Sequence, residues 1–263
     1  RRNDIYLYEL DSQFMEDFDL WIRKTYNVNH NTVYKTYQRF TRFLRQEIAR
    51  GNLDRYPFID YKIKMEYKEG RYLSFNEIQS LEELELDLPK LIQTRSIFLL
   101  SVYTGLAFID LYNLKESDLF NDDDGMLWFK TYRQKSKSRV SVPLISNALN
   151  HIKILRSGEF DISPGKLLPI KSNVHLNYEI KQIASAARIN EPETVTFHCA
   201  RRSTSSIMMK AGIPLQILQK VLSHRSIATS IQFYSHTDDE MVKNAMKELD
   251  QKLENLNNQR KDG

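Results

Sequence analysis

Residues 196–212 read Thr-Phe-His-Cys-Ala-Arg-Arg-Ser-Thr-Ser-Ser-Ile-Met-Met-Lys-Ala-Gly. From Phe197 to Lys210 nothing interrupts a helix, and Gly212 supplies the stop. His198 and Arg201 stand three apart, so they share one face of that helix. Pro214 is expected at the first position of the next helix, which runs to about Ser223 and leaves His224 at its end. Tyr234 follows between Phe233 and Ser235, the only tyrosine after Tyr178. Upstream, Met126 to Tyr132 and Arg139 to Leu144 read as two strands. Residues 134–138 join them into a β-hairpin whose tip carries Lys135 and Lys137, and an acidic turn, Asn121 to Gly125, precedes it.

Helical periodicity accounts for most of the remaining chain. Pro89 to Thr104 is a long apolar helix ended by Gly105, and Asn147 to Leu155 and Asn177 to Ala187 also read as helices. Ser74 and Glu77 form a capping-box pattern at the start of another. Near the N-terminus, Asp11 to Tyr26 and Thr32 to Arg50 are helical, the second closed by Gly51. Val33, Tyr37, Phe40, Leu44 and Ile48 make the apolar stripe of the second helix. Lys35, Arg39, Arg42 and Gln46 fall on the opposite face, with Gln38 at its edge. Such a face suits a DNA backbone, and equally an ordinary solvated surface. An interdomain linker is expected near Lys64 to Arg71. Asp238 to Asn258 forms a last helix, with Val242, Met246, Leu249, Leu253 and Leu256 along an apolar seam. The expectation is a mainly α protein with a small β-sheet, in two domains, 1–68 and 69–263.

Composition removes several classes. Hydrophobic residues at 41% of a 263-residue chain can bury a sizeable core. The single cysteine, Cys199, excludes an intrachain disulfide and a Cys-rich zinc site. No apolar run approaches the roughly 20 residues that span a bilayer, and no apolar signal core follows Arg1-Arg2-Asn3-Asp4. A cytoplasmic location without membrane contact is expected. The net charge is only +4, but it is segregated: residues 21–72 hold twelve Lys and Arg against five Asp and Glu. Residues 130–140 hold five basic groups and no acid. Segregation of this kind builds a one-sided positive surface.

His198, Arg201, His224, Lys135 and Tyr234 form a chemical set. Arginine and histidine neutralise phosphate oxygens. Lysine can protonate a leaving alkoxide. A tyrosine hydroxyl near guanidinium groups can become a covalent nucleophile. The set suits phosphodiester transfer through a phosphotyrosine. Taken singly, each residue has a plainer reading: Tyr234 and His198 as packing groups, His224 as a helix-end cap, and Lys135 as a solvated lysine with Lys137 its near rival.

In this pattern the chain resembles the tyrosine recombinase (phage integrase) family. Thr104-Gly105-Leu106-Ala107-Phe108-Ile109-Asp110-Leu111 looks like its first box, T-G-L-R-x-x-E/D-L. Thr196 to Arg201 matches its H-x-x-R box, and Leu222-Ser223-His224 its L-G-H box with serine for glycine. Gln232-Phe233-Tyr234-Ser235-His236 resembles the stretch around the nucleophile, and Lys135 the hairpin lysine. Residues 1 to about 68 look like the helical core-binding domain. Two departures stand out. The family's first arginine belongs where this chain has Ala107, a feature shared by some integrases of the conjugative-transposon type. The gap from His224 to Tyr234 is also one residue longer than usual. Arg133 is the candidate substitute, since it lies two residues before Lys135 on one strand face; Arg139 and Arg202 are lesser candidates.

The resemblance implies a site-specific recombinase. Tyr234 attacks a DNA phosphate to form a 3′-phosphotyrosine, Arg201, His198, His224 and a substitute arginine stabilise the transition state, and Lys135 protonates the leaving 5′-oxygen. Asp110 supports Arg201 or the fold. Lys35, Arg39, Arg42, Gln46, Lys137 and Arg139 are the expected DNA contacts. No cofactor and no metal are implied. The partners are double-stranded DNA with recombination core sites, further copies forming a tetramer through C-terminal helix exchange, and accessory DNA-bending proteins at a bacterial nucleoid. Two competing functions are a DNA-binding module of the same fold that has lost catalysis, and a type IB topoisomerase-like relaxing enzyme. Whether Arg133 reaches the phosphate pocket separates the first of these from the recombinase.

Overall fold

The computed structural model describes residues 4–66, 70–133 and 138–223, together with Lys243, Met246, Lys247, Asp250 and Gln251, which are helical. The chain divides into two compact units, residues 1–69 and 70–263.

The first unit is built on two helices. α1 (Ser12–Tyr26) starts at Asp11, whose carboxylate accepts from the Phe14 amide at 2.7 Å. α2 (His30–Ala49) starts two residues earlier than the sequence suggests. The reason is the cap: Asn29, not Thr32, supplies the side-chain oxygen, which accepts from the Thr32 amide at 3.0 Å. Met15, Leu44 and Phe58 are fully buried, with Phe14, Phe18, Tyr37 and Phe40 packed around them. Lys35, Arg39, Arg42 and Gln46 are exposed on α2, opposite that core.

In the second unit α3 (Phe75–Glu83) opens with the expected capping box: Ser74 Oγ accepts from the Glu77 amide at 3.3 Å, and Glu77 returns a bond to the Ser74 amide at 2.8 Å. α4 (Pro89–Thr104) is buried on nearly every face and packs against three later helices, α6 (Ser146–Leu155), α7 (Asn173–Ala186) and α8 (Phe197–Lys210). A helix without a polar face belongs in the middle of a domain. A one-turn helix, α5 (Phe108–Tyr112), follows. Then comes an antiparallel sheet of β1 (Leu119–Asn121), β2 (Leu127–Tyr132) and β3 (Arg139–Pro143), in that order. Phe129 faces the core between Leu119 and Val142. β1 and α5 escape a reading by periodicity because neither is long enough to repeat a pattern.

Two further boundaries differ from the sequence reading. α7 begins four residues early, capped by Ser172, which brings buried Leu176 onto the same stripe as Ile180 and Ile183. Pro214 is the cap of α9 (Leu215–Leu222) and not its first residue, because its ψ of 143° is extended. The linker positions 67–69, the hairpin tip at 134–137 and most of the expected last helix lie outside the described residues.

Gly105 ends α4 at a φ of +65°, and its amide donates to Ser101 O at 2.8 Å. A Cβ there would lie 2.7 Å from Leu222 Cδ2. Gly105→Ala therefore combines a left-handed backbone penalty of about 1–2 kcal/mol with a clash. Gly51, at +76° in open space, carries the first cost alone. Urea unfolding is expected to show a larger loss for Gly105→Ala than for Gly51→Ala; equal losses would contradict the close approach.

Candidate active site

Period-two alternation along β2 sends Leu127, Phe129 and Thr131 to one face, and residue 133 continues that series. The ladder extends far enough to hold it, since the Arg133 amide donates to Ser138 O at 2.8 Å. The inward face of the strand thus ends in an arginine that is only 6% exposed. A buried guanidinium needs partners. Arg133 Nη1 donates to Asp110 Oδ2 at 2.8 Å, and Nη2 donates to the carbonyl oxygen of Leu222 at 2.8 Å. Its Nε is buried without a hydrogen-bond partner among the described residues.

Arg201 arrives from the first turns of α8 and meets the same oxygen. Its Nη2 donates to Leu222 O, and its Nη1 to Gly105 O at 2.6 Å. Leu222 is the last residue of α9, so its carbonyl has no partner within the helix and lies at the partially negative end of the helix dipole. Two guanidinium groups converge on one backbone oxygen. Burial first, and then the positive charge of Arg133, push Arg201 down from its ordinary value to about 9, while Asp110 holds it up. Burial also lowers Arg133, against the pull of Asp110. Arg201 remains charged at neutral pH, and among the described residues Asp110 is the carboxylate that faces the two cations.

His198 is exposed on α8, one turn before Arg201. Ala107 caps α5, and its carbonyl accepts from the amides of Asp110 and Leu111, each at 3.0 Å. It therefore stands one helical turn from the carboxylate that binds Arg133. Of the lesser candidates, Arg139 is exposed, and its contact with α9 is through its backbone: Ser223 Oγ donates to Arg139 O at 3.3 Å. The Arg202 guanidinium lies over Gly70. Lys135, Lys137, His224 and Tyr234 lie outside the described residues.

On the first unit, Arg42 and Gln46 line a groove of about 690 Å3 together with Gln38, Arg45, Tyr34, Tyr37 and Tyr56. Lys35 and Arg39 are exposed elsewhere on α2. Arg45 lies outside the expected basic set, although it stands three residues after Arg42 and seven after Gln38. Among the described residues no group of three or more His, Cys, Asp or Glu is placed to hold a metal ion, and no helix is long and apolar enough to cross a membrane.

Residues 71–241 match the model of the phage integrase family, and residues 1–63 match the phage integrase SAM-like domain. The chain belongs to the phage integrase family. Its match to that family includes the positions of Lys135, His224 and Tyr234. It is 28% identical over 185 residues to transposase B from transposon PsiTn554 of Staphylococcus aureus, covering 66% of this chain and 29% of the transposase. It thus spans under a third of that relative's length. It is 28% identical over 193 residues to tyrosine recombinase XerD of Rickettsia prowazekii, covering 64% of this chain and 61% of XerD. The fold is similar to that of the Tn1549 transposon integrase solved in complex with transposon right end DNA. That likeness has a TM-score of 0.68 at 13% identity and covers 95% of this chain and 88% of the other.

Paired buried cations in an integrase-family chain should bind a tetrahedral oxyanion. Sulfate is expected to raise the melting temperature in two parts: a saturable one from the pocket, and a linear one from its general exclusion from protein surfaces. Arg133→Gln should abolish the saturable part and leave the linear one. A saturable shift that survives Arg133→Gln would place the anion elsewhere.

Proposed function

We propose that this chain is a site-specific DNA recombinase that breaks and rejoins DNA through a 3′-phosphotyrosine. The convergence of Arg133 and Arg201 on Leu222 O is the observation that supports it most directly. Backbone carbonyls satisfy part of each guanidinium without neutralising it, which leaves positive charge for a phosphodiester. In this reading Arg133 supplies the charge that Ala107 does not, and Asp110 positions Arg133.

The Tyr234 oxygen forms a bond to phosphorus as its phenolic proton passes to solvent, and the bond to the 5′-oxygen breaks. Lys135 delivers a proton to that oxygen, giving a free 5′-hydroxyl. Arg133, Arg201, His198 and His224 stabilise the charge that builds on the non-bridging oxygens. The 5′-hydroxyl of a partner strand then attacks the phosphotyrosine and releases Tyr234, so the number of phosphodiester bonds is conserved and no external energy source is consumed. Lys35, Arg39, Arg42 and Gln46 hold the backbone from the first unit, and Lys137 and Arg139 do so from the hairpin. Double-stranded DNA with paired core sites is the substrate. A tetramer joined through C-terminal helices is the working assembly, with DNA-bending proteins as accessories in the bacterial cytoplasm.

A duplex enriched from a randomised pool by binding to the protein, nicked near its centre to trap the intermediate, tests this. A detergent-resistant protein–DNA adduct is expected, and Tyr234→Phe should abolish it without loss of binding. Tight binding with no adduct would mark a DNA-binding module, and an adduct that survives Tyr234→Phe would assign the nucleophile elsewhere.

A further inference from the structure

Residues 70–73, at the start of the second unit, are seated on α8. The Leu73 amide donates to Ser203 Oγ at 2.8 Å, and that hydroxyl donates to Cys199 O at 2.9 Å, both buried. The Arg202 guanidinium fills the space that a side chain at Gly70 would need: a Cβ there would lie 0.5 Å from Nη1 and 1.7 Å from Cζ. Gly70 has no left-handed φ, so a side chain there would meet no backbone strain and would have to displace the Arg202 guanidinium. Among the described residues Arg202 forms no ion pair, so its fit over Gly70 is what locates it. Arg71 holds the same segment through Glu77 and Asn190 O.

Arg201, Arg202 and Ser203 are consecutive on α8 and diverge by about 100° each. Arg201 enters the cationic pocket, while the next two residues hold the segment through which the chain leaves the first unit. We propose that Arg202 and Ser203 are positioning residues: by seating Gly70 to Leu73 on α8 they set the placement of Arg201 and His198. This rests on the reading of the pocket as the phosphate site. A misplacement of about 1 Å in such a site lowers rates by about a hundredfold.

Gly70→Ala expels the guanidinium, Arg202→Ala empties its seat, and the double variant does both. The rate of adduct formation at saturating nicked duplex, the affinity for that duplex and the melting temperature are measured for each. Both single variants are expected to form adduct about ten- to a hundredfold more slowly with nearly unchanged affinity and melting. The double variant should be no slower than the worse single, because both act through one contact. Unchanged rates at saturating DNA, or effects that multiply in the double, would overturn the proposal. Absence of adduct from the unsubstituted protein would instead overturn the phosphotyrosine reading. The seat is then decided by the saturable sulfate stabilisation: weakened in Gly70→Ala it upholds the positioning role, and unchanged it refutes it.

Discussion

The carbonyl oxygen of Leu222 receives two arginines, and much of the second unit is arranged to make that possible. α9 must end at Leu222, α4 must end at Gly105 so that its carbonyl is free for Arg201, and β2 must continue one residue past Tyr132 to carry Arg133 inward. α5 must deliver Asp110 to the far side of Arg133. The two acceptor carbonyls lie at helix ends, where backbone groups lack partners within their own element. The pocket thus uses the leftover carbonyl oxygens of two helix ends, with the Asp110 carboxylate, to hold two like charges together.

Such an arrangement is electrostatically unfavourable while no anion is bound. The lowering of Arg201 to about 9 expresses this: the charged form is less stable here than in water, through burial and through the neighbouring cation. The rest of the unit must outweigh that cost. α4, enclosed by α6, α7 and α8, supplies the continuous apolar core that does so. A rigid frame also keeps the two guanidinium groups from separating when their pocket is unfilled. Preorganised charge of this kind favours a transition state that gains negative charge over a ground state that has less of it.

Much of this was legible in the residues. Gly105, Gly212 and the Ser74–Glu77 pair mark helix ends because their chemistry is local. Arg133 was legible as an inward residue because a strand has a period of two. Its pairing with Asp110, 23 residues earlier, was not, because no spacing rule connects a strand end to a one-turn helix. The role of Leu222 was hidden for a different reason: the acceptor is a backbone oxygen, and every residue has one. On the first unit, the α2 stripe identifies the exposed face but not the groove, since Tyr56 and Ile63 come from chain beyond the helix. The seat of Arg202 over Gly70 left no signal either, because a glycine in a charged stretch reads as linker. The sequence placed Asp110 as a support for Arg201 or the fold; in the structure its charge holds Arg201 up, and it also pairs with Arg133.

In the proposed recombinase Arg133 does the work of the arginine that Ala107 replaces. The direct measurement is the rate of covalent adduct formation on saturating nicked duplex for Arg133→Gln, alone and combined with Ala107→Arg. Arg133→Gln is predicted to bind DNA but to form adduct about a hundredfold or more slowly, the scale of losing one transition-state donor. Ala107→Arg is predicted to restore a substantial part of that rate in the same background. Adduct formation at the unsubstituted rate by Arg133→Gln would contradict the account.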